Sequence, residues 1–455
     1  MVEFLNIIPL VNKYLHKFVI MDSGPVKIYS AKDTPRLRYI AGILLGDILG
    51  LQWEVTTDKR KLGKHPVINY SSDNISGSFK INPDSILFEE GICAKNIIIS
   101  EWKGLSVFFQ TAPDSDLPFD VFAAAFFLIS RYEEYLEFKP DEYGRFPASV
   151  SLAFKNGFLG KPIVDLWARE LSKAFLKKFP TLVFRRNEYK ALLTIDTDQP
   201  FAYQGKNILR SIGGLFRDKT STPATVSDRY RIIAKGGKDP YDVFDYIVGN
   251  IEISNTHTKF FFPVGDHSKY DKNPSWKNDD YRNLIHRIAD KFQVGLHPSY
   301  SSASDAHLIN IEAERLQLIL GKEVRLSRFH YLRLFMPGSY NNILRTGISE
   351  DYSMGYPDEP GFRAGIARPY FFYDVTQDKL TNLKIIPFQV MDGTLYDYKK
   401  LNPENSREVV LKLIRETRNV GGLFVSIWHN TSLLDNDQCK DWREVFEFII
   451  KNQKP

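Results

Sequence analysis

Apolar and polar positions follow two different rhythms along the chain. After residue 184, short apolar runs at 191–195, 259–264, 293–296, 325–329, 383–390 and 423–428 have the length of strands. Between and after them, residues 279–292, 305–320, 406–418 and 442–452 carry apolar positions at helical spacing. Strand and helix alternating in this way predict parallel strands joined by crossover helices, as an open sheet or a (β/α) barrel. No GxGxxG or GxxxxGK[ST] follows any of the runs, which removes the usual nucleotide-binding reason for an open sheet. A barrel is therefore the expectation.

Before residue 185 the pattern is mixed. Residues 39–51 read as an apolar helix, 96–102 and 104–110 as strands joined by a short turn, 120–136 as a buried helix capped by Asp120, and 164–179 as an amphipathic helix. Within the third of these, Arg131 and Glu134 have the spacing of an i,i+3 helical pair, a structural reading. The fold class expected is α/β, with a mixed α/β domain over 1–185 and a distorted barrel over 186–455. A polar tract between Asp218 and Asp228 reads as an insertion after the first strand of the second half.

A length of 455 residues favours two domains, in keeping with the change of rhythm. Sixty basic against 55 acidic residues leave a formal charge of +5 without a basic block, so nothing calls for nucleic acid. Cys93 and Cys439 are the only cysteines and lack CxxC spacing, so neither a disulfide framework nor a thiolate zinc site is suggested. The first twenty residues are apolar but broken by polar ones and lack the parts of an export signal. No stretch is long enough to span a bilayer, and a cytoplasmic protein is expected.

The predicted strand exits hold the chemistry. Asp196 and Asp198 follow the first run; Asp266 and His267 the second; His297 the third; Arg328 and His330 the fourth; His429 the last. Residues i and i+2 of a strand point the same way, so Asp196 and Asp198 would face one spot and repel unless a cation lay between them. An acidic turn is the plainer alternative. Yet four of the nine histidines stand at these exits, and imidazoles converging with carboxylates match the ligand preference of zinc.

These motifs together resemble the polysaccharide deacetylases of carbohydrate esterase family 4, the NodB-homology domain, over roughly residues 188–455. TIDTD looks like that family's first motif, which implies Asp196 as general base and Asp198 as metal ligand. GLHPSYSS resembles the second, implying His297 as metal ligand, with Ser301 standing where the family has a second histidine. SRFHY resembles the third, implying that Arg328 holds the catalytic base. SIWHN resembles the last, implying His429 as the acid that protonates the departing amine.

The resemblance implies a divalent metal, Zn2+ being expected, and an N-acetylated carbohydrate as substrate. It also likens the amino-terminal half to an accessory domain found with such deacetylases in Bacteroidetes-like sequences. His330 stands where the family's third motif has proline, and could replace the missing ligand, act on the substrate or hydrogen-bond a carboxylate. Arg363 and Arg368 lie in a Gly- and Pro-rich segment, 351–374, expected as a rim loop, and Arg363 is expected to contact substrate. Asp392 is expected to bind sugar hydroxyls or to make a turn with Gly393. His307 falls in a predicted helix and is expected at the surface.

The main expectation is a metal-dependent N-deacetylase. A catalytically weakened relative that binds glycan or scaffolds other proteins is the alternative, motivated by Ser301. A glycosidase is a third class, disfavoured because its two acids must flank the scissile bond rather than share a face.

Overall fold

The computed structural model describes residues 24–203 and 237–454. The first twenty residues and the tract between Asp218 and Asp228 lie outside the described residues.

The amino-terminal half contains a parallel sheet that the apolar pattern did not announce. Its strands are β1 (Val26–Ser30), β2 (Trp53–Thr56), β3 (Val67–Tyr70) and β4 (Phe79–Lys80), in the order β2-β1-β3-β4. The hairpin is present but shorter than expected, with β5 (Ser100–Trp102) antiparallel to β6 (Leu105–Val107). The expected helix at 39–51 starts earlier, at Pro35–Ala41, because Thr34 accepts from the Leu37 amide and Pro35 suits the first turn; it continues as the π-helix Gly42–Ile48. The helix Val121–Ile129 is buried along its whole length and capped by Asp120, which accepts from the amides of Phe122 (3.0 Å) and Ala123 (3.1 Å). It stops short of 136 because Arg131 takes a left-handed conformation at φ 55° and the chain tightens into the 3-10 turn Tyr132–Tyr135.

The second half is a nine-stranded sheet. Its strands are β7 (Lys190–Asp196), β8 (Thr258–Phe262), β9 (Gln293–Leu296), β10 (Leu326–Ser327), β11 (Glu350–Asp351), β12 (Tyr370–Asp374), β13 (Lys379–Ile385), β14 (Val390–Met391) and β15 (Leu423–His429). They lie in the order β12-β13-β11-β10-β9-β8-β7-β15-β14, parallel throughout except for the β12/β13 hairpin. The sheet curls far enough for Leu192, Phe261, Leu326, Tyr352, Phe388 and Val425 to share one interior cluster.

It does not close into the expected barrel. The end strands β12 and β14 are not paired, and the run expected as one strand at 383–390 breaks in two. Pro387, which has no amide proton, interrupts it, and residues 386–389 run as irregular chain from β13, next to the edge strand β12, to β14 at the other edge. Isolated bonds hold that crossing: Phe388 donates to the Met354 carbonyl at 3.0 Å and Gln389 to the Val425 carbonyl at 3.0 Å.

The two halves share a continuous apolar core. A buried ionic cluster also joins them. Glu134 accepts from Arg363 Nη2 at 2.7 Å and from Arg131 Nε at 2.7 Å, and all three side chains are buried. Arg363 is therefore a structural residue and not the substrate contact expected, because its guanidinium is consumed by Glu134 and the Gly355 carbonyl. Arg368 is paired with Asp165 at 2.5 Å. Among the described residues no helix is long and apolar enough to cross a membrane.

Candidate active site

Strand register assembles the site. Asp196 of β7 stands opposite His429 of β15, while Leu296 of β9 pairs with both Phe262 and Ser327, so the residues leaving these strands emerge side by side. Gly295 permits the close approach: a Cβ there would sit 2.7 Å from the Phe261 ring and 2.8 Å from Leu326. Asp196, Asp198, His297, His330 and His429 line one cleft at the carboxyl ends of the strands, with Tyr331 at its side.

Arg328 fixes the first acid. Fully buried, it donates to Asp196 Oδ1 (2.8 Å), to the Thr194 hydroxyl (2.8 Å) and to the Tyr352 carbonyl (3.0 Å), with its guanidinium 4.6 Å above the Phe261 ring. These contacts fix the position of the Asp196 carboxylate at the cleft floor.

Two imidazoles are aimed at the second acid. His297 Nδ1 donates to the Arg328 carbonyl, which can only accept, so Nε2 is the nitrogen turned to the cleft. That Nε2 lies 3.1 Å from Asp198 Oδ1. His330 repeats the arrangement: Nδ1 is 2.8 Å from Asp271 Oδ1, and Nε2 is 3.3 Å from Asp198 Oδ2. One ligand atom from each of Asp198, His297 and His330 lies within 4.8 Å of the others. Two imidazoles and a carboxylate, each imidazole oriented through its far nitrogen, are a donor set that fits zinc with a position left open. His330 thus lies beside Asp198 and His297, and it hydrogen-bonds the Asp271 carboxylate.

Without a cation the same contacts act on protons. Burial pulls the His330 pKa down, but the Asp198 and Asp271 carboxylates outweigh it and carry it up to about 9. Burial disfavours the charge of Asp198, yet His330 and His429 hold its carboxyl well below the usual carboxylate range.

His429 faces the acids from the last strand. Its Nε2 is 3.8 Å from Asp198 Oδ2 and 4.0 Å from Asp196 Oδ2, while Nδ1 is 2.7 Å from Asp392 Oδ1. Asp392 also accepts the His429 amide at 2.8 Å and that of Gly393 at 2.7 Å. The expectation that Asp392 meets sugar hydroxyls is corrected: it is 1% exposed, and its oxygens orient His429; nor does it make a turn with Gly393, since both residues open the helical segment that continues as Thr394–Tyr398. Burial lowers the His429 pKa, but Asp392, then Asp198 and Asp196, raise it to about 10, so the ring is a cation at neutral pH.

Ser301 is not brought to the cluster. After His297 the chain turns so that Ser299 and Ser302 bond the buried Glu312, which leaves Ser301 exposed on the outside of the turn. His267 is exposed, Asp266 is exposed and paired with Arg315, and His307 is exposed on the helix Ala306–Leu320 as expected. Two contributors went unread: Asp271, in an irregular stretch, and Arg145, from the amino-terminal half.

Residues 26–180 match the model of a family of unknown function, DUF7033. No curated protein matches the chain. Among solved structures, a candidate polysaccharide deacetylase from Mycobacterium smegmatis is similar at 15% identity and a TM-score of 0.39, covering 58% of this chain and 85% of that one. The PuuE allantoinase is similar at 10% identity and a TM-score of 0.37, covering 58% of this chain and 84% of that one. A carbohydrate esterase family 4 pseudoenzyme from Bacillus anthracis, BA3943, is similar at 10% identity and a TM-score of 0.30, covering 59% and 62%.

Proposed function

We propose that the protein is a metal-dependent hydrolase that removes an N-acetyl group from an amino sugar of a glycan or glycan precursor. One observation carries this reading: Asp196, held by Arg328, and His429, held by Asp392, flank the Asp198, His297 and His330 cluster. The motif resemblance to polysaccharide deacetylases supports the choice of an amide bond on a sugar.

Asp198, His297 and His330 would hold the ion. When bound, a divalent metal such as Zn2+ acidifies a bound water and polarises an acyl oxygen. Asp196 takes the proton of the attacking water as its oxygen bonds to the acetyl carbon. His429 Nε2–H, kept charged by Asp392, gives its proton to the sugar nitrogen as the C–N bond breaks. Acetate and a free amine leave, and the proton on Asp196 returns the site to its starting state through solvent and His429.

The glycan-binding alternative drew on Ser301 as a failed ligand, and that motive falls away with His330 in the cluster. A glycosidase is disfavoured because Asp196 and Asp198 lie within 4.0 Å of the same His429 nitrogen, on one side of any bond placed there. Acetate and free amine released from a panel of N-acetylated sugars test the reading. Metal-loaded protein should release both, and Asp196→Asn should release them about 10²–10⁴-fold more slowly while keeping its metal. Release that persists unchanged after metal is stripped would count against it.

A further inference from the structure

The loop at residues 141–145 belongs to the part of the chain matched by the family of unknown function, yet it reaches the cleft. Asp141 closes the loop on itself. Its Oδ1 accepts from the amides of Tyr143 (3.0 Å) and Arg145 (2.8 Å), and its Oδ2 lies 2.7 Å from Arg145 Nε. The second half then fastens the loop, because the Tyr143 carbonyl accepts from Arg333 Nε at 3.2 Å and from the Tyr300 hydroxyl at 3.1 Å. Arg145, 3% exposed, directs its two remaining nitrogens at the site. Nη1 donates to the Tyr331 carbonyl at 2.9 Å and Nη2 to the Tyr398 hydroxyl at 3.0 Å.

Tyr331 directly follows His330, and the backbone there is strained. Tyr331 has φ 58° and Leu332 φ 53°, a left-handed pair without a glycine. Such a conformation persists where surrounding contacts over-determine it. The carbonyl that Arg145 grips belongs to the peptide joining these two residues, so the guanidinium fixes its plane. Asp271 orients the His330 ring from one side, and the His330 amide bonds the Pro298 carbonyl at 3.0 Å. Arg145 supplies the restraint on the other side of the residue.

We infer that Arg145 is a positioning residue for the metal cluster: it holds the turn at Tyr331 and Leu332 and thereby keeps His330 Nε2 aimed at Asp198. Part of the site is then supplied by the amino-terminal half, 186 residues away in sequence. The inference rests on the metal-binding reading of Asp198, His297 and His330. Three separate acceptors engage Nε, Nη1 and Nη2, a geometry that lysine cannot reproduce.

The test uses the full chain, stripped of metal, for the wild type, Arg145→Met, Arg145→Lys and His330→Ala. Co2+ is titrated for its visible spectrum, and Zn2+ against a chromophoric chelator, with the thermal midpoint of each variant recorded. Arg145→Met should bind one ion about 10- to 100-fold more weakly with an altered Co2+ spectrum, and Arg145→Lys should recover little of the loss. Wild-type affinity and spectrum in Arg145→Met, alongside loss of the ion in His330→Ala, overturns the inference and leaves the metal reading intact. Should the methionine variant fail to fold, wild-type behaviour in Arg145→Lys overturns it equally. A wild type that binds neither ion removes the metal reading, and the inference with it.

Discussion

Asp271 Oδ1 lies 2.8 Å from His330 Nδ1, and the same carboxylate accepts the Ser268 hydroxyl at 2.6 Å and the Tyr300 amide at 3.0 Å. An acid anchored at two points besides the imidazole does not follow it, so the imidazole is oriented by the acid. Its other nitrogen is thereby committed to Asp198.

Removing that orientation should loosen the cluster without dismantling it. Asp271→Ala is expected to weaken Zn2+ binding about 10- to 100-fold, and Asp271→Asn by less, since the amide oxygen can still accept from Nδ1. Competition against a chelator of known affinity measures both. Equal affinity in wild type and Asp271→Ala would show that the acid does not serve the ion.

Metal binding should release a proton. With its pKa raised to about 9, His330 is protonated at pH 7 in the metal-free protein, whereas a ligand imidazole must be neutral. Affinity should therefore rise about tenfold per pH unit through neutrality from this group and level off above about pH 9. Titration calorimetry in buffers of different ionisation enthalpy counts the proton; a buffer-independent heat at pH 7 contradicts the assignment.

Asp392 should set the alkaline limit of activity. His429 donates only while protonated, and its pKa of about 10 owes its rise first to Asp392, against the pull of burial. Asp392→Asn should move the high-pH limb of kcat/KM down by about 1–3 units, with metal content unchanged. A limb that stays in place assigns the proton donor elsewhere.

Stability rests in part on Glu134, which lies between Arg131 and Arg363 at the junction of the halves. Glu134→Ala leaves the buried Arg363 guanidinium without a carboxylate and Arg131 with Glu133 alone, and should destabilise the protein by about 3–5 kcal/mol. The urea midpoint reads this directly, and a change below about 1 kcal/mol would show that the two arginines find other acceptors.

The sequence made some of this site readable and hid the rest. Asp196, His297, Arg328 and His429 each end an apolar run of strand length, so their convergence follows from parallel strands alone. The strand at Gln293–Leu296 lies where the pattern placed it. Asp271 and Arg145 carry no such mark, because each sits in an irregular loop and meets the site 59 and 186 residues away. Ser301 misled because motif spacing assumes a particular turn after His297, while the bonds of Ser299 and Ser302 to Glu312 impose another. The open sheet was hidden for a comparable reason: one apolar run spans Pro387, and only the pairing shows that its two parts belong to β13 and β14, far apart in the strand order. Strands β1–β4, two to five residues long, are too short to stand out from their surroundings.

The most direct measurement is the metal content per chain of wild type, Asp198→Ala, His330→Ala and Ser301→Ala, by plasma mass spectrometry after dialysis against a small excess of Zn2+. Close to one equivalent in wild type and Ser301→Ala, with loss in Asp198→Ala and His330→Ala, is the result expected of a site closed by His330. Full occupancy in His330→Ala, or none in wild type, would contradict it.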